Sequence, residues 1–357
     1  MPNRKTSRND PFDLHQEIVA ARSIAALREI NVRMLDMAGY AIRSSVGAKS
    51  VVQLISRFND AITLRLITLL ETSEGIRLPQ GATFLVLGSE GRGEQTLRTD
   101  QDNAIVYNDG LPSGELRNVE RFAVRLVDAL EEIGVPRCPG NIMASNPRWC
   151  RSVSEWKSLV NEWVAVPTPE HILNFGMFQD LRALHGDETP AMQLREHICS
   201  AVLCHGIFLP NMACHVVRFP APFTIFGRIR VEQSGKHTGM VNLKKAGIFA
   251  ITTGASLLAL EAGIIGGDTW KKLDLLGKLG FFSSGDLEAI VTAFTFLVHL
   301  RLQQQLRDLS CGSEPTNYVD PLIMTDTEHE QFRQALKGVN TFLWIFRDHY
   351  LLDFISM

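Results

Sequence analysis

The sequence has no strong excess of charge of either sign, and this narrows the classes of protein to consider. Its 36 Lys and Arg residues nearly balance 39 Asp and Glu residues, which leaves a formal net charge of -3. Proteins that bind nucleic acid through its phosphates usually carry a basic surface. We therefore expect no nucleic-acid partner, and transfer to tRNA ends or DNA would require a local basic groove.

The sequence also gives no indication of paired cysteines or of a signal peptide. The six cysteines form no CxxC pair and no disulfide-like spacing, which predicts reduced thiols. The first residues lack the apolar core of a signal peptide. The most apolar stretch, 247–267, contains Glu261 and five glycines, so we interpret it as a buried helix followed by a glycine turn. A cytoplasmic protein without a membrane partner is expected.

The apolar pattern divides the chain into a helical segment at 1–76, an α/β domain at 77–190 and a mainly helical domain at 191–357. The chain shows no repeat and no low-complexity tract, which disfavours a solenoid. The predicted fold class is therefore α+β and mainly α.

Strands are predicted where short apolar runs end at turn residues. Ala82–Leu87 stops at a glycine-rich loop, and Asn103–Tyr107 forms the second run. Helical spacing follows at 115–133, and Phe175–Arg182 is the candidate third strand. Strand, loop, strand and helix in this order predict an α/β unit.

The glycine-rich loop suits phosphate. It begins at Gly88 and Ser89 and contains Gly91, so backbone amides can face an anion without obstruction by a Cβ atom. Arg92 lies inside the loop and can donate several hydrogen bonds to phosphate oxygens. Glu90 and Glu94 could orient that arginine or a metal-bound water, or could be solvated loop acids.

Two carboxylates follow the loop. Asp100 and Asp102 are separated by one residue at the entry to a strand, where alternate side chains point to the same face. Two oxygen ligands beside a phosphate loop suit Mg²⁺ or Mn²⁺. The alternative is that the loop is a surface turn and the two aspartates a solvated cap.

These motifs resemble a known family. The segments GSEGRGEQTL (88–97) and TDQDNA (99–104) are similar to bacterial nucleotidyltransferases that are often fused to CBS and cyclic-nucleotide-binding domains. The same order occurs in PII uridylyltransferase and glutamine-synthetase adenylyltransferase, which have a polymerase-beta-like α/β domain. The resemblance extends over about residues 50–345 through five further segments, 140–149, 178–182, 243–247, 301–304 and 317–321.

The resemblance implies roles for particular residues. Ser89 and its neighbouring amides would hold the triphosphate of an NTP, while Asp100 and Asp102 bind metal. Asp180 would be the third metal carboxylate and would activate the acceptor hydroxyl. The alternative is that Asp180 is a turn residue at the end of the strand. Arg182 alternates with Asp180 along the same run, so it could face the same cleft and join Arg92 at the phosphates. The sequence departs from the family in two ways. It shows no CBS or cyclic-nucleotide-binding segment, so the regulatory input is expected to be missing or to come from a partner, and it carries Ser256 where relatives tend to carry an arginine.

The sequence thus predicts a metal-dependent nucleotidyltransferase, like a uridylyltransferase or an adenylyltransferase, that acts in signalling. It would transfer a nucleoside monophosphate from ATP or UTP to an acceptor hydroxyl on a protein and release pyrophosphate. The alternative is a nucleotide-sensing or scaffold protein with the same fold and little turnover.

Overall fold

The computed structural model describes residues 11–44, 46–97, 100–219, 222–223 and 228–354. Thr99 of the second motif and the N-terminal residues used for the leader prediction lie outside these ranges. The chain forms two compact units. One comprises Met1–Leu159 and Met177–His197, and the other comprises Val160–Gly176 and Ile198–Met357. The predicted three-domain boundaries stay a prediction.

The first unit begins with three helices: α1 (Pro11–Ala20), α2 (Ile24–Arg43) and α3 (Ala48–Leu69). The Ser23 hydroxyl accepts a hydrogen bond from the Ala26 amide and so caps the start of α2. α3 ends in one π-helical turn, Leu70–Glu74. These helices confirm the helical spacing of the N-terminal segment.

A four-stranded sheet follows, in the order β3-β2-β1-β4. The strands are β1 (Ala82–Val86), β2 (Asn103–Tyr107), β3 (Cys150–Ser152) and β4 (Arg182–Gly186). β1 pairs antiparallel with β2 and β4, while β2 and β3 are parallel. Every residue of β1 is buried, because helices of the first unit and both neighbouring strands surround it. The two predicted inner strands are confirmed.

Two helices of the first unit accompany the sheet strands, α4 (Gly88–Gly91) and α5 (Ser113–Glu132). The next two helices along the chain, α6 (Val153–Ala165) and α7 (Pro169–Phe178), belong partly to the first unit and partly to the second. α6 starts directly after β3 and is held on the sheet by Trp156. Its indole nitrogen donates to the Ile105 carbonyl at 3.0 Å, and its ring stacks on Phe178 with 4.4 Å between ring centroids. Residues 115–133 were predicted to be helical, and α5 confirms this.

The predicted third strand, Phe175–Arg182, is wrong. Its first half is the end of α7, and the strand at this sheet edge is β4, which begins at Arg182. Phe175 and Phe178 are both fully buried and three residues apart, which is the spacing of one helix face. Asp180 therefore lies in the turn between α7 and β4 rather than on a strand.

The rest of the chain is mainly helical, as predicted. Its helices are α8 (Glu188–Cys204), α9 (Phe208–Val216), α10 (Phe249–Glu261), α11 (Thr269–Lys278), α12 (Ser284–Ser310) and α13 (Asp326–His349). Two short strands, β5 (Val241–Asn242) and β6 (Tyr318–Val319), pair antiparallel. The fold is α+β and mainly helical, which confirms the predicted class.

The apolar stretch at 247–267 is a buried helix with a glycine turn, as expected. All but one of the residues from Ala250 to Leu260 are buried in α10, and Gly263, Gly266 and Gly267 follow with positive φ. Among the described residues, no single helix has the length and apolarity needed to cross a membrane, and only the sharply bent pair α8 and α9 meets that test jointly. None of the six cysteines forms a disulfide.

Candidate active site

The turn after β1 begins at Gly88, whose φ of +50° is a left-handed conformation that glycine adopts readily. The preceding residue, Leu87, donates its amide to the Asp102 carbonyl at 2.9 Å, which keeps the turn beside the start of β2. The Gly91 amide then donates to the Leu87 carbonyl at 2.9 Å. Amides earlier in the turn precede this first helical hydrogen bond, so they can donate to a bound anion.

Gly91 fits its position only because it has no side chain. A Cβ atom there would lie 2.2 Å from the Asp180 carbonyl oxygen and 3.1 Å from the Val86 carbonyl oxygen. Both obstructing atoms are backbone, which cannot rotate away. The glycine therefore lets the turn after β1 contact the turn that precedes β4.

The DxD segment, residues 100–102, is anchored by its middle residue, Gln101. Gln101 is 1% exposed, whereas Asp100 is exposed and Asp102 is half-buried. The Gln101 side-chain amide donates to the carbonyl oxygens of Val127 and Val135, both at 3.1 Å. The exposure thus alternates along residues 100–102, as in extended backbone, and a common orientation of the two aspartates stays a prediction.

Asp102 lies against the turn after β1, residues 88–91, which is the glycine turn of the site. A Cβ atom on Gly88 would be 3.5 Å from the Asp102 carboxylate oxygen Oδ2. Cys138 contacts the same carboxylate, and burial raises the pKa of its thiol, with a further increase from the charge and hydrogen bond of Asp102. The thiol therefore stays protonated and can donate to Asp102.

Glu90 adds another carboxyl group to the turn. Burial raises its pKa to about 8, and the nearby charges of Asp60 and Asp102 act in the same direction, while Arg182 opposes them. Glu90 was predicted either to orient Arg92 or a metal-bound water, or to be a solvated loop acid. Its surroundings exclude a freely solvated carboxylate.

Arg92 joins the turn to Asp180. Its guanidinium donates to the Asp180 carboxylate at 2.9 Å and to the Glu94 carboxylate at 3.1 Å. Burial acts against the positive charge, but the two carboxylates outweigh it and raise the pKa of Arg92 above its usual value. All three side chains are largely buried, so this is an internal charge cluster.

Arg182 lies on the other side of the turn. One of its nitrogen atoms, Nη2, donates to the Asp60 carboxylate at 2.8 Å and to the Glu90 carbonyl at 3.0 Å. The structure thus places this predicted phosphate ligand against the backbone of the turn and against α3. Its role at the phosphates stays a prediction.

The predicted site residues are therefore only partly gathered. Gly88, Ser89 and Asp102 share one place, whereas Asp180 pairs with Arg92. Among the described residues, no three His, Cys, Asp or Glu side chains are arranged to hold a metal ion. Asp100 and Asp102 still have suitable chemistry, because Mg²⁺ is commonly held by one or two carboxylates together with substrate phosphates.

Three residues of this neighbourhood escaped sequence reasoning: Ser56, Asp60 and Cys138. A signal for the first two was present, since they are polar and four residues apart in a helix whose buried face is otherwise mainly apolar. Cys138 had no such signal, because its contact with Asp102 arises only from the folded chain.

The turn at residues 88–91 thus lies between two antiparallel strands, with the Asp102 carboxylate against it. Residues 32–170 match the family described as "Putative nucleotidyltransferase DUF294". Residues 206–350 match "Putative nucleotidyltransferase substrate binding domain". A search of curated proteins finds no match.

The two matched segments together cover more than half of the chain. The chain belongs to this nucleotidyltransferase family, and the protein is a nucleotidyltransferase. The resemblance drawn from the glycine-rich and DxD segments is confirmed.

Proposed function

We propose that the protein transfers a nucleoside monophosphate from ATP or UTP to a hydroxyl group of an acceptor protein and releases pyrophosphate. The observation that carries this proposal is the position of the Asp102 carboxylate against Gly88, at the start of a turn with amides available to phosphate. The oxygen proposed to bind metal and the backbone proposed to bind triphosphate are thus adjacent.

The turn would bind the triphosphate through the amides that precede Gly91, with the Ser89 hydroxyl as a further donor. Asp100 and Asp102 would hold Mg²⁺ or Mn²⁺ together with phosphate oxygens. When held by these two carboxylates, the ion would supply positive charge for the attacking and leaving oxygens. Arg92 is close to the turn, but it is already engaged by two carboxylates.

In the reaction, the acceptor oxygen forms a bond to the α-phosphorus while the bond from that phosphorus to the bridging oxygen breaks. The β- and γ-phosphates leave as pyrophosphate, and the acceptor hydroxyl gives up its proton. Asp180 is the proposed proton acceptor. The Asp180 carboxylate is ion-paired with Arg92. To take a proton from the acceptor hydroxyl, this pair would have to move when the acceptor binds.

A protein acceptor and a signalling role are supported by the resemblance to PII uridylyltransferase and glutamine-synthetase adenylyltransferase. The near balance of basic and acidic residues also disfavours a polynucleotide acceptor. We further propose a cytoplasmic location and a separate regulatory partner.

The direct test measures pyrophosphate release from ATP and from UTP with Mg²⁺, in a lysate of the source cell as the supply of acceptors. Asp102→Asn keeps the size of the side chain and removes its charge. We expect it to reduce turnover by at least a hundredfold, on the order of the loss seen when a main electrostatic group is removed. Asp36→Asn, on an exposed position of α2, is the matched control. Equal turnover in all three proteins would exclude the proposed site.

Binding separates the enzyme from the nucleotide-sensing alternative. Titration calorimetry with Mg-ATP should show weaker binding to Asp102→Asn than to the wild type, with Asp36→Asn unchanged. Nucleotide binding without pyrophosphate release across many acceptors would favour a sensor or scaffold. Strong salt-dependent RNA binding would instead favour transfer to nucleic acid.

A further inference from the structure

The helix α3 places two polar side chains on its buried face. Ser56 is 4% exposed, and Asp60, four residues later, is partly buried. Residues four apart lie on the same side of a helix, so both point toward the same neighbour. That neighbour is the glycine turn and the segment that follows it.

Ser56 holds the end of the segment after the turn. Its hydroxyl oxygen accepts a buried hydrogen bond of 2.9 Å from the backbone amide of Gln95. A serine inside a helix commonly bonds to its own helix or to water, so an amide from a distant segment is a specific partner. Without this hydroxyl, the backbone amide of Gln95 would lose this buried acceptor.

Asp60 holds the turn itself, through Arg182. The guanidinium nitrogen that contacts the Asp60 carboxylate also donates to the Glu90 carbonyl. Glu90 is the residue after Ser89. The hydrogen bond between the charged Arg182 and Asp60 side chains is of the strong kind and fixes the guanidinium. Asp60 thereby determines where Arg182 contacts the Glu90 carbonyl.

The two contacts enclose the stretch from Glu90 to Gln95. Gly91 lies between them, pressed against the Asp180 carbonyl, and Arg92 is ion-paired with the Asp180 carboxylate. α3 is a suitable support because half of its residues are buried and it packs against α1, α2 and α5. The turn is thus fixed from the α3 side as well as from the β4 side.

We propose that Ser56 and Asp60 are positioning residues that hold the turn amides in the geometry needed for the triphosphate. This rests on the proposed function of the turn. The proposal gives the N-terminal helical segment a role at the site, since Ser56 and Asp60 of α3 would determine the position of the backbone proposed to bind phosphate.

The test uses Ser56→Ala and Asp60→Asn in the full chain, with Ser50→Ala and Asp36→Asn as controls at exposed helical positions. We expect each test variant to raise the KM for the nucleotide and to lower kcat, each by on the order of tenfold, because small displacements of a binding group reduce rates strongly. Loss of folded protein would lower the apparent kcat and leave KM unchanged. Asp60→Glu, which keeps the carboxylate, should recover most of the loss.

Hydrogen exchange measured by mass spectrometry on the peptide that contains residues 88–97 gives a readout independent of turnover. We expect faster exchange in Ser56→Ala and in Asp60→Asn, and wild-type exchange in both controls. Unchanged exchange together with unchanged KM would overturn the proposal. If the wild type released no pyrophosphate, the proposed function would fail, and the exchange data would still decide whether α3 holds the turn.

If Asp60→Asn failed to fold, Ser56→Ala and Asp60→Glu would carry the test. Ser56→Ala with wild-type exchange and kinetics would then count against positioning. Asp102→Asn completes the design, since it should abolish turnover without changing exchange in the turn.

Discussion

Replacing Gly91 by alanine tests the close contact between the glycine turn and the turn before β4. The new methyl group would lie 2.2 Å from the Asp180 carbonyl oxygen, whereas ordinary contact begins at 3.4 Å. The turn must therefore move by roughly 1 Å relative to Asp180, because the obstructing atom belongs to the backbone. Such a movement would also lengthen the ion pair between Arg92 and the Asp180 carboxylate.

The cost follows from two opposing effects. Overpacking of a well-packed site costs about 1 to 3 kcal/mol. Alanine is favoured over glycine in a helical turn by at most about 1 kcal/mol, which offsets only part of that cost. Gly91→Ala should therefore reduce the free energy of unfolding by about 1 to 2 kcal/mol.

Urea unfolding followed by circular dichroism measures this difference, and Gly114→Ala is the matched control. Gly114 is in the first turn of α5, where a Cβ atom would meet nothing within 4 Å, so its replacement should be neutral or stabilising. Equal unfolding midpoints for Gly91→Ala, Gly114→Ala and the wild type would refute the steric argument. Nucleotide binding should be weaker in Gly91→Ala alone.

Three further outcomes are expected. The raised pKa of Glu90, about 8 against an ordinary 4.5, means that the folded state binds a proton which the unfolded state releases between those values. Stability should thus fall as the pH rises through that window, and Glu90→Gln should flatten this part of the pH profile in urea unfolding at pH 5 and pH 8. Trp156→Phe removes a buried donor to the Ile105 carbonyl and should cost about 1 to 3 kcal/mol, measured by urea unfolding, whereas a cost near zero would contradict this hydrogen bond. Gly254→Ala would place a methyl group 2.6 Å from the Phe342 ring, so its thermal midpoint should fall, and an unchanged midpoint would show that the ring can move aside.

The parts of the fold that sequence reasoning recovered have local signals. β1 and β2 are continuous apolar runs that end at turn residues, and α5 keeps a regular apolar spacing over 20 residues. The glycine turn and the DxD segment were visible for the same reason, since their chemistry depends on neighbours in the chain. β4 was misplaced because its side chains are only half-buried, so the apolar end of α7 gave the stronger signal.

The parts that were missed depend on contacts between distant segments. Arg92 and Asp180 are separated by 88 residues, and Asp60 and Arg182 by 122. The residues around Arg92 in the sequence do not indicate that this arginine, predicted to bind phosphate, is instead ion-paired with Asp180. Such pairing is decided by the sheet order, which brings β4 beside β1 and under α3.

The tether formed by Gln101 affects how mutations in the DxD segment should be interpreted. The side-chain amide of Gln101 is bound to carbonyls on two other segments. A shift of the chain by one residue beside Gln101 would therefore turn one of the flanking aspartates inward. We expect Gln101→Ala to lower turnover by displacing the aspartates proposed to bind metal, although it removes neither of them. Loss of activity across this segment would then have two causes, and unfolding measurements would separate loss of the anchor from loss of a proposed ligand.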